Sequence, residues 1–344
     1  MTKLSSNNIA YIGDRAYSDL KRALVYWQPN KYCNYECSYC WPSSHTKIKD
    51  FDDAQKSYKT IDDLCNQFYD RGIDKINWGW SGGEATFHPN FLDMQERVLR
   101  RQDDFIMTFN MTSNISQSIK WWEKFVEKTS GYKVRAIAAS LHQEYVHTDK
   151  QIKRFHETAD FIRSAGITIT INQVMDIDLF EDQLELLNMF IEDGFNVNSK
   201  INTIENQMYH KYGDGKTGYT QEQLDYMINS NKRYHDIERC LVKTVDGEEH
   251  WFDATERLKP LQLYHNLNDW MCTAGYISAV IKQGKIRRGV GGCRHDVIGK
   301  LGDDFKLFDE PKKCTAKESQ SCTCVADLKL PKWRAKDSNI IARE

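Results

Sequence analysis

Between about residues 20 and 205, short apolar and β-branched runs alternate with longer charged stretches of helical period. That alternation restricts the chain to βα units wound onto a parallel sheet. The runs that read as strands are 22–27, 75–80, 105–112, 133–141, 167–174 and 199–204. Helical patterns fill the gaps from Asp53 to Tyr69, Asn90 to Arg101, Ser116 to Lys128, Lys150 to Ser164 and Leu179 to Glu192, with Gly166 and Gly194 placed to stop the last two. In such folds ligands meet the chain at the carboxyl ends of the strands. The segments that follow each strand are therefore where chemistry is to be sought.

After the first strand comes Cys33-Asn34-Tyr35-Glu36-Cys37-Ser38-Tyr39-Cys40. Three thiols this close together can cap one face of an iron–sulfur cube and leave its fourth iron without a protein ligand, whereas an electron-transfer cluster takes four cysteines. Zinc is the competing reading. Cys37, Cys40 and His45 have the C-x2-C-x4-H spacing of a zinc knuckle, and Cys33 can complete a tetrahedron. After the second strand comes Ser81-Gly82-Gly83-Glu84, a turn whose glycines let backbone approach a bound molecule closely.

The C-x3-C-x2-C loop with an aromatic residue before its last cysteine, followed one βα unit later by Gly-Gly-Glu, resembles the paired signatures of the radical S-adenosylmethionine enzymes. The resemblance implies an α/β fold built on a partial (β/α)6 barrel, and a 4Fe-4S cluster held by Cys33, Cys37 and Cys40. In that family the amino and carboxylate groups of S-adenosylmethionine chelate the open iron. An electron from a low-potential donor such as flavodoxin or ferredoxin then breaks the sulfonium into methionine and a 5'-deoxyadenosyl radical that abstracts hydrogen from a substrate. Carried onto this sequence, Tyr39 lies near the adenine, and Gly82, Gly83 and Glu84 offer backbone to the methionine end, with Gly83 glycine so that the cosubstrate has room. Thr112, Asn114, Ser140 and Asn172, at later strand ends, are candidates for ribose and carboxylate contacts, although each alone is more often a strand cap or turn residue than a ligand. His142 and Glu144, just past the fourth strand, face the same mouth and are the catalytic candidates, set against a plain helix-capping loop.

Five more cysteines, Cys272, Cys293, Cys314, Cys322 and Cys324, gather near the carboxyl end among small turns. They resemble the twitch or SPASM extension that carries auxiliary 4Fe-4S clusters. Five cysteines are too few for two fully ligated clusters, so one second cluster is expected, with Cys272, Cys293, Cys314 and Cys324 favoured as ligands and Cys322 spare. A structural zinc is the alternative. The implied organisation is an N-terminal extension over 1–19, the barrel over 20–210, a linker helix and hairpin over 211–260 with its turn at Asp246-Gly247, the cysteine-rich domain over 261–330, and a tail over 331–344. The glycine loop Tyr212 to Gly218 lacks the spacing of a phosphate-binding loop and reads as a linker.

A net charge of -2 gives no electrostatic reason to expect a nucleic-acid partner. No run has the length of a membrane span and the first residues lack the apolar core of a signal peptide, so a cytoplasmic location is expected. Ten cysteines in such a chain argue for metal or redox use over disulfides. Cys65 falls in an amphipathic helical pattern and reads as a buried small hydrophobe. The substrate classes that the resemblance allows are a ribosomally made peptide and a small molecule such as a sugar or aminocyclitol, the latter pointing to a dehydrogenase. No peptide-recognition domain is recognisable before residue 20. A chain ending Ile-Ile-Ala-Arg-Glu also lacks the Gly-Gly tail of the molybdenum-cofactor branch. Outside enzymes, the alternative is a zinc-stabilised binding protein.

Overall fold

The computed structural model of the chain describes residues 8–40, 46–201, 218–230, 240–252, 267, 270–290, 293–315 and 330–334. After β1 (Ile9–Asp14) come six strands, β2 (Arg22–Gln28), β3 (Lys75–Trp80), β4 (Ile106–Ser113), β5 (Val134–Leu141), β6 (Thr168–Met175) and β7 (Asn196–Ile201). These six stand side by side in chain order, each parallel to the next. Helices α1 (Ala54–Asp70), α2 (Phe91–Leu99), α3 (Ile119–Lys128), α4 (Asp149–Ser164) and α5 (Phe180–Glu192) fill the crossovers. The architecture is thus a mixed α/β fold on an open parallel barrel, as the alternation of sequence patterns predicts.

Side-chain alternation along the strands separates two faces. Trp78, Phe109, Ile137, Ile171 and Val197 point outward and share one core with Ile61, Leu64, Phe125, Ile162 and Phe190 of the helices. On α1 the buried positions Ser57, Thr60, Ile61, Leu64, Cys65 and Phe68 form a single stripe, and Asp53 starts the helix by accepting from the Lys56 N–H. Cys65 is fully buried there, as its pattern suggests. The inner face is polar. Asn110 donates to Asn77 at 2.6 Å, and Asn198 donates to Asn172 at 3.0 Å across β6 and β7.

The sixth barrel strand lies at 196–201, three residues ahead of its predicted start at 199. Gly194, with φ of 78°, ends the preceding helix and turns the chain straight into pairing, so that Phe195 and Val197 are buried. Alternating asparagines at 196 and 198 had disguised these residues as loop.

After α6 (Gln221–Ser230) the chain forms β8 (Cys240–Thr244) and β9 (Glu249–Phe252), the hairpin expected around Asp246-Gly247. Then follow β10 (Trp270–Cys272), β11 (Ser278–Lys282), β12 (Lys285–Arg287), β13 (Val297–Lys300), β14 (Lys312–Lys313) and β15 (Lys332–Arg334). Strand β11 pairs parallel with β2, and the antiparallel β12 and β13 extend that edge, giving a nine-stranded sheet. The second sheet has the order β14-β10-β15-β1-β8-β9, so residues 9–14, to which no strand is assigned in the sequence reading, sit in its interior between β15 and β8. Among the described residues no helix is long and apolar enough to cross a membrane.

Candidate functional site

The cysteine loop leaves β2 at the carboxyl end of the sheet, and its shape is set by the turn after β3. Gly83 donates its N–H to the Asn30 carbonyl at 3.1 Å and Glu84 to the Tyr32 carbonyl at 2.7 Å, which docks Gly82-Gly83-Glu84 on the residues just before Cys33. The Asn30 side chain completes the join by donating to the carbonyls of Tyr32 and Glu84, both at 3.1 Å. A Cβ on Gly83 would lie 2.2 Å from the Lys31 carbonyl oxygen and 2.3 Å from that of Tyr32. Gly82 has φ of 141° and would place a Cβ 2.5 Å from the Asn30 carbonyl oxygen. Both glycines are therefore required by the contact of two backbone segments, a reason different from the cosubstrate clearance inferred from sequence.

Glu84 is turned inward, with 2% of its surface exposed. Its carboxylate accepts from the Asn114 N–H at 2.7 Å, the Ser113 hydroxyl at 3.0 Å and the Thr86 hydroxyl at 2.8 Å, tying the end of β4 to the Gly-Gly turn. Burial pushes this carboxyl above its ordinary pKa against the pull of those donors. Asn114 continues the chain of contacts: its amide donates to the Asn34 side chain at 2.8 Å and lies 4.0 Å from the Cys33 sulfur.

The far side of the loop is held by the segment after β5. Ser38 donates its N–H to Glu144 at 2.9 Å and its hydroxyl to the same carboxylate. The Glu36 N–H donates to the Tyr145 hydroxyl at 2.7 Å, and the Tyr35 and Tyr145 rings stack at 4.2 Å. Tyr39 stacks on His142 at 5.7 Å and its hydroxyl lies 2.6 Å from Nδ1 of that ring. Burial draws the His142 pKa down to about 4, so the imidazole is neutral at pH 7 and its Nδ1 shares one hydrogen bond with the Tyr39 hydroxyl. His142 and Glu144 are thus placed as holders of the cysteine loop, and Tyr39 has a ring partner within the protein.

Cys33 accepts from the Tyr35 N–H at 3.4 Å. Burial pushes the Cys33 thiol up to about 11 and the Cys37 thiol up to about 12, and Cys40 adds to both shifts by its proximity. Three neighbouring thiols, with an N–H directed at the Cys33 sulfur, are soft donors of the kind that hold an iron–sulfur core. Among the described residues no three His, Cys, Asp or Glu side chains stand in a ready-made metal-holding geometry. His45, the histidine of the zinc-knuckle pattern, lies outside the described residues.

Thr112, Ser140 and Asn172 all lie on the inner face near the strand ends, where Ser140 pairs in register with Asn172. In the carboxyl region Cys272 ends β10, Cys293 precedes β13 and Cys314 follows β14. Buried Arg288 links their loops by donating to the carbonyls of Ala274, Lys312 and Lys313 at 3.2, 2.6 and 2.7 Å. Cys272 and Cys293 pack in the main core, while Cys314 packs on a separate apolar cluster that includes Ile9, Cys240 and Trp270. Cys322 and Cys324 lie outside the described residues, as do residues 212–217 of the glycine loop. Asn30, Asn34, Ser113 and Tyr145 are site residues that the sequence reading missed. Each is an ordinary loop or strand-end residue whose partner is remote in the chain.

No protein-family model and no curated protein matches this sequence. Solved structures do. The structure of anSMEcpe with bound AdoMet and the Kp18Cys peptide aligns at a TM-score of 0.54 and 12% identity, over 83% of this chain and 79% of that one. The same protein with AdoMet and the Cp18Cys peptide gives 0.53 and 14%, over 84% and 80%. Streptococcus suis SuiB bound to the precursor peptide SuiA gives 0.47 and 16%, over 90% and 64%. The first two alignments each cover more than four fifths of this chain, and its fold is that of the radical S-adenosylmethionine enzymes.

Proposed function

We propose that this protein is a radical S-adenosylmethionine enzyme of the twitch or SPASM-like group, acting on a peptide. The observation that carries the reading is the docking of Gly82-Gly83-Glu84 on residues 30–32, which presents the three-cysteine loop at the mouth of a parallel barrel. A 4Fe-4S cluster on Cys33, Cys37 and Cys40 would supply, with S-adenosylmethionine bound, the electron that splits the sulfonium into methionine and a hydrogen-abstracting 5'-deoxyadenosyl radical.

The chain's own part is positional. Asn30, Glu84 and Asn114 fix one side of the loop, and His142, Glu144 and Tyr145 fix the other. The polar inner face, with Thr112, Ser140 and Asn172 near the strand ends, offers hydrogen bonds to whatever enters. The C-terminal cysteines form the second site, where an auxiliary cluster would take up the electron left on an oxidised substrate. A peptide is favoured over a sugar or aminocyclitol because the anSMEcpe structures that share this fold hold peptides.

The test is anaerobic reconstitution with iron and sulfide, followed by dithionite and S-adenosylmethionine. The wild-type protein should form 5'-deoxyadenosine, and a variant with Cys33, Cys37 and Cys40 all changed to alanine should form none. Product from that variant, or zinc in place of iron in protein isolated without air, would overturn the assignment.

A further inference from the structure

None of the six barrel strands contains an aspartate or glutamate. The inner face carries amides and hydroxyls among a few apolar side chains such as Val174, and near its mouth the barrel strands give it one formal charge, Lys200 of β7. Register fixes that placement. Lys200 pairs with Val174, next to the Asn172–Asn198 pair whose side chains hydrogen-bond on the inner face, and residues two apart on a strand share a face. Its neighbours Val197 and Ser199 are buried on the other side.

Lys200 is an exposed residue whose ammonium has a pKa lowered by burial, with no charged residue contributing to the shift. Among the described residues it has no carboxylate partner. Of the acids at the mouth, Glu84 is buried in its own set of donors, Glu144 is engaged with Ser38, and Asp176, which follows β6 beside β7, accepts from the Asp178 N–H and forms no ion pair with Lys200. A cation placed in a cavity without a counter-ion recovers the most when a carboxylate arrives, because that pair is both charge-assisted and partly shielded from water.

We propose that Lys200 receives a carboxylate of the substrate, namely an acidic side chain of a peptide entering the barrel mouth. This rests on the peptide reading given above. The methionine carboxylate of the cosubstrate is the other source of the same chemistry, but the Gly-Gly turn follows β3, four strands from β7 and roughly 19 Å along the sheet. That separation in strand order assigns Lys200 to the substrate, and the cosubstrate titration below tests the assignment.

The experiment uses reconstituted wild-type protein and the variants Lys200→Met and Lys200→Arg. The probes are pools of N-acetylated, C-amidated heptapeptides with a central Asp or Glu, and matched pools with Asn or Gln. Bound peptide is read by mass spectrometry, without S-adenosylmethionine. The expected result is retention of the acidic pool about tenfold or more above the amide pool, lost in Lys200→Met and kept in Lys200→Arg. Equal retention of the two pools by the wild type, or an acid preference that survives in Lys200→Met, overturns the proposal. So does weaker S-adenosylmethionine binding by Lys200→Met in a titration followed by EPR, which would assign the lysine to the cosubstrate. An acid preference that depends on Lys200 in a protein forming no 5'-deoxyadenosine would sink the radical reading and leave this subsite standing.

Discussion

Ser38 gives both its backbone N–H and its hydroxyl to one carboxylate, that of Glu144, although the two residues are separated by 106 positions in the chain. The segment between Cys37 and Cys40 is thus fastened to the loop after β5, and the sulfurs on either side of it move only if that clasp opens. Both residues are exposed, so the clasp governs local opening far more than global stability. Glu144→Ala should leave the melting temperature nearly unchanged while speeding amide hydrogen exchange at Ser38 about tenfold, the loss of one charge-assisted hydrogen bond. Unchanged exchange at Ser38 would show that the loop is held by other contacts.

Gly83→Ala should destabilise the whole protein, by about 2 kcal/mol or more, because the added Cβ meets backbone at 2.2 and 2.3 Å that cannot rotate away. Gly72→Ala is the comparison. Gly72 has φ of 69° and open space around it, so only the backbone penalty of about 1 kcal/mol applies. Thermal or urea unfolding of both variants decides the matter, and a Gly83→Ala protein as stable as Gly72→Ala would refute the docking geometry.

Asp52 predicts a pH dependence. Burial raises its carboxyl to about 6, although Trp27 donates to it at 2.9 Å. The unfolded chain releases that proton near pH 4, so the folded form binds it more tightly between the two values. The group's stabilising contribution is whole below about pH 4 and is lost as pH rises through about 6. Asp52→Asn retains an acceptor for Trp27 and should be more stable than wild type at pH 7, by at most about 3 kcal/mol, and close to it at pH 4. Parallel unfolding curves at the two pH values, with no change in the difference, would show that Asp52 titrates normally.

The two cysteine groups should be separable by metal analysis. Reconstituted wild-type protein should hold about eight irons, and a variant with Cys272 and Cys293 both changed to alanine about four, while still cleaving S-adenosylmethionine. A wild-type count near four that the double replacement leaves unaltered would remove the auxiliary cluster.

Strands β2 to β6 were legible because outward aromatic and aliphatic side chains alternate with inward polar ones, as Trp78 and Trp80 do around Gly79. Strand β7 was displaced in the sequence reading for the same physical reason that makes it interesting: its inward residues are two asparagines and a lysine. Among the site residues, the cysteines and Gly-Gly-Glu announced themselves as local words. Their supports did not, because the bonds from Asn30 to Glu84 and from Asn114 to Asn34 span 54 and 80 positions and join residues of ordinary type. A similar limit applies to Gly83. The sequence shows that glycine is there, but only the approach of residues 31 and 32 shows what excludes a side chain.

The placement of β1 has a consequence for the order in which the molecule can be finished during synthesis. Barrel strands pair with their immediate successors, so each can add to the sheet soon after it leaves the ribosome. Strand β1 emerges before all of them, and its partners are residues 240–244 on one side and 332–334 on the other. At roughly 5–20 residues per second, the first strand waits tens of seconds for either neighbour, with Ile9 and Ile12 still uncovered. The second sheet is therefore a late event that closes around an early strand, and a ribosome-held chain would carry a finished barrel beside an unpaired edge.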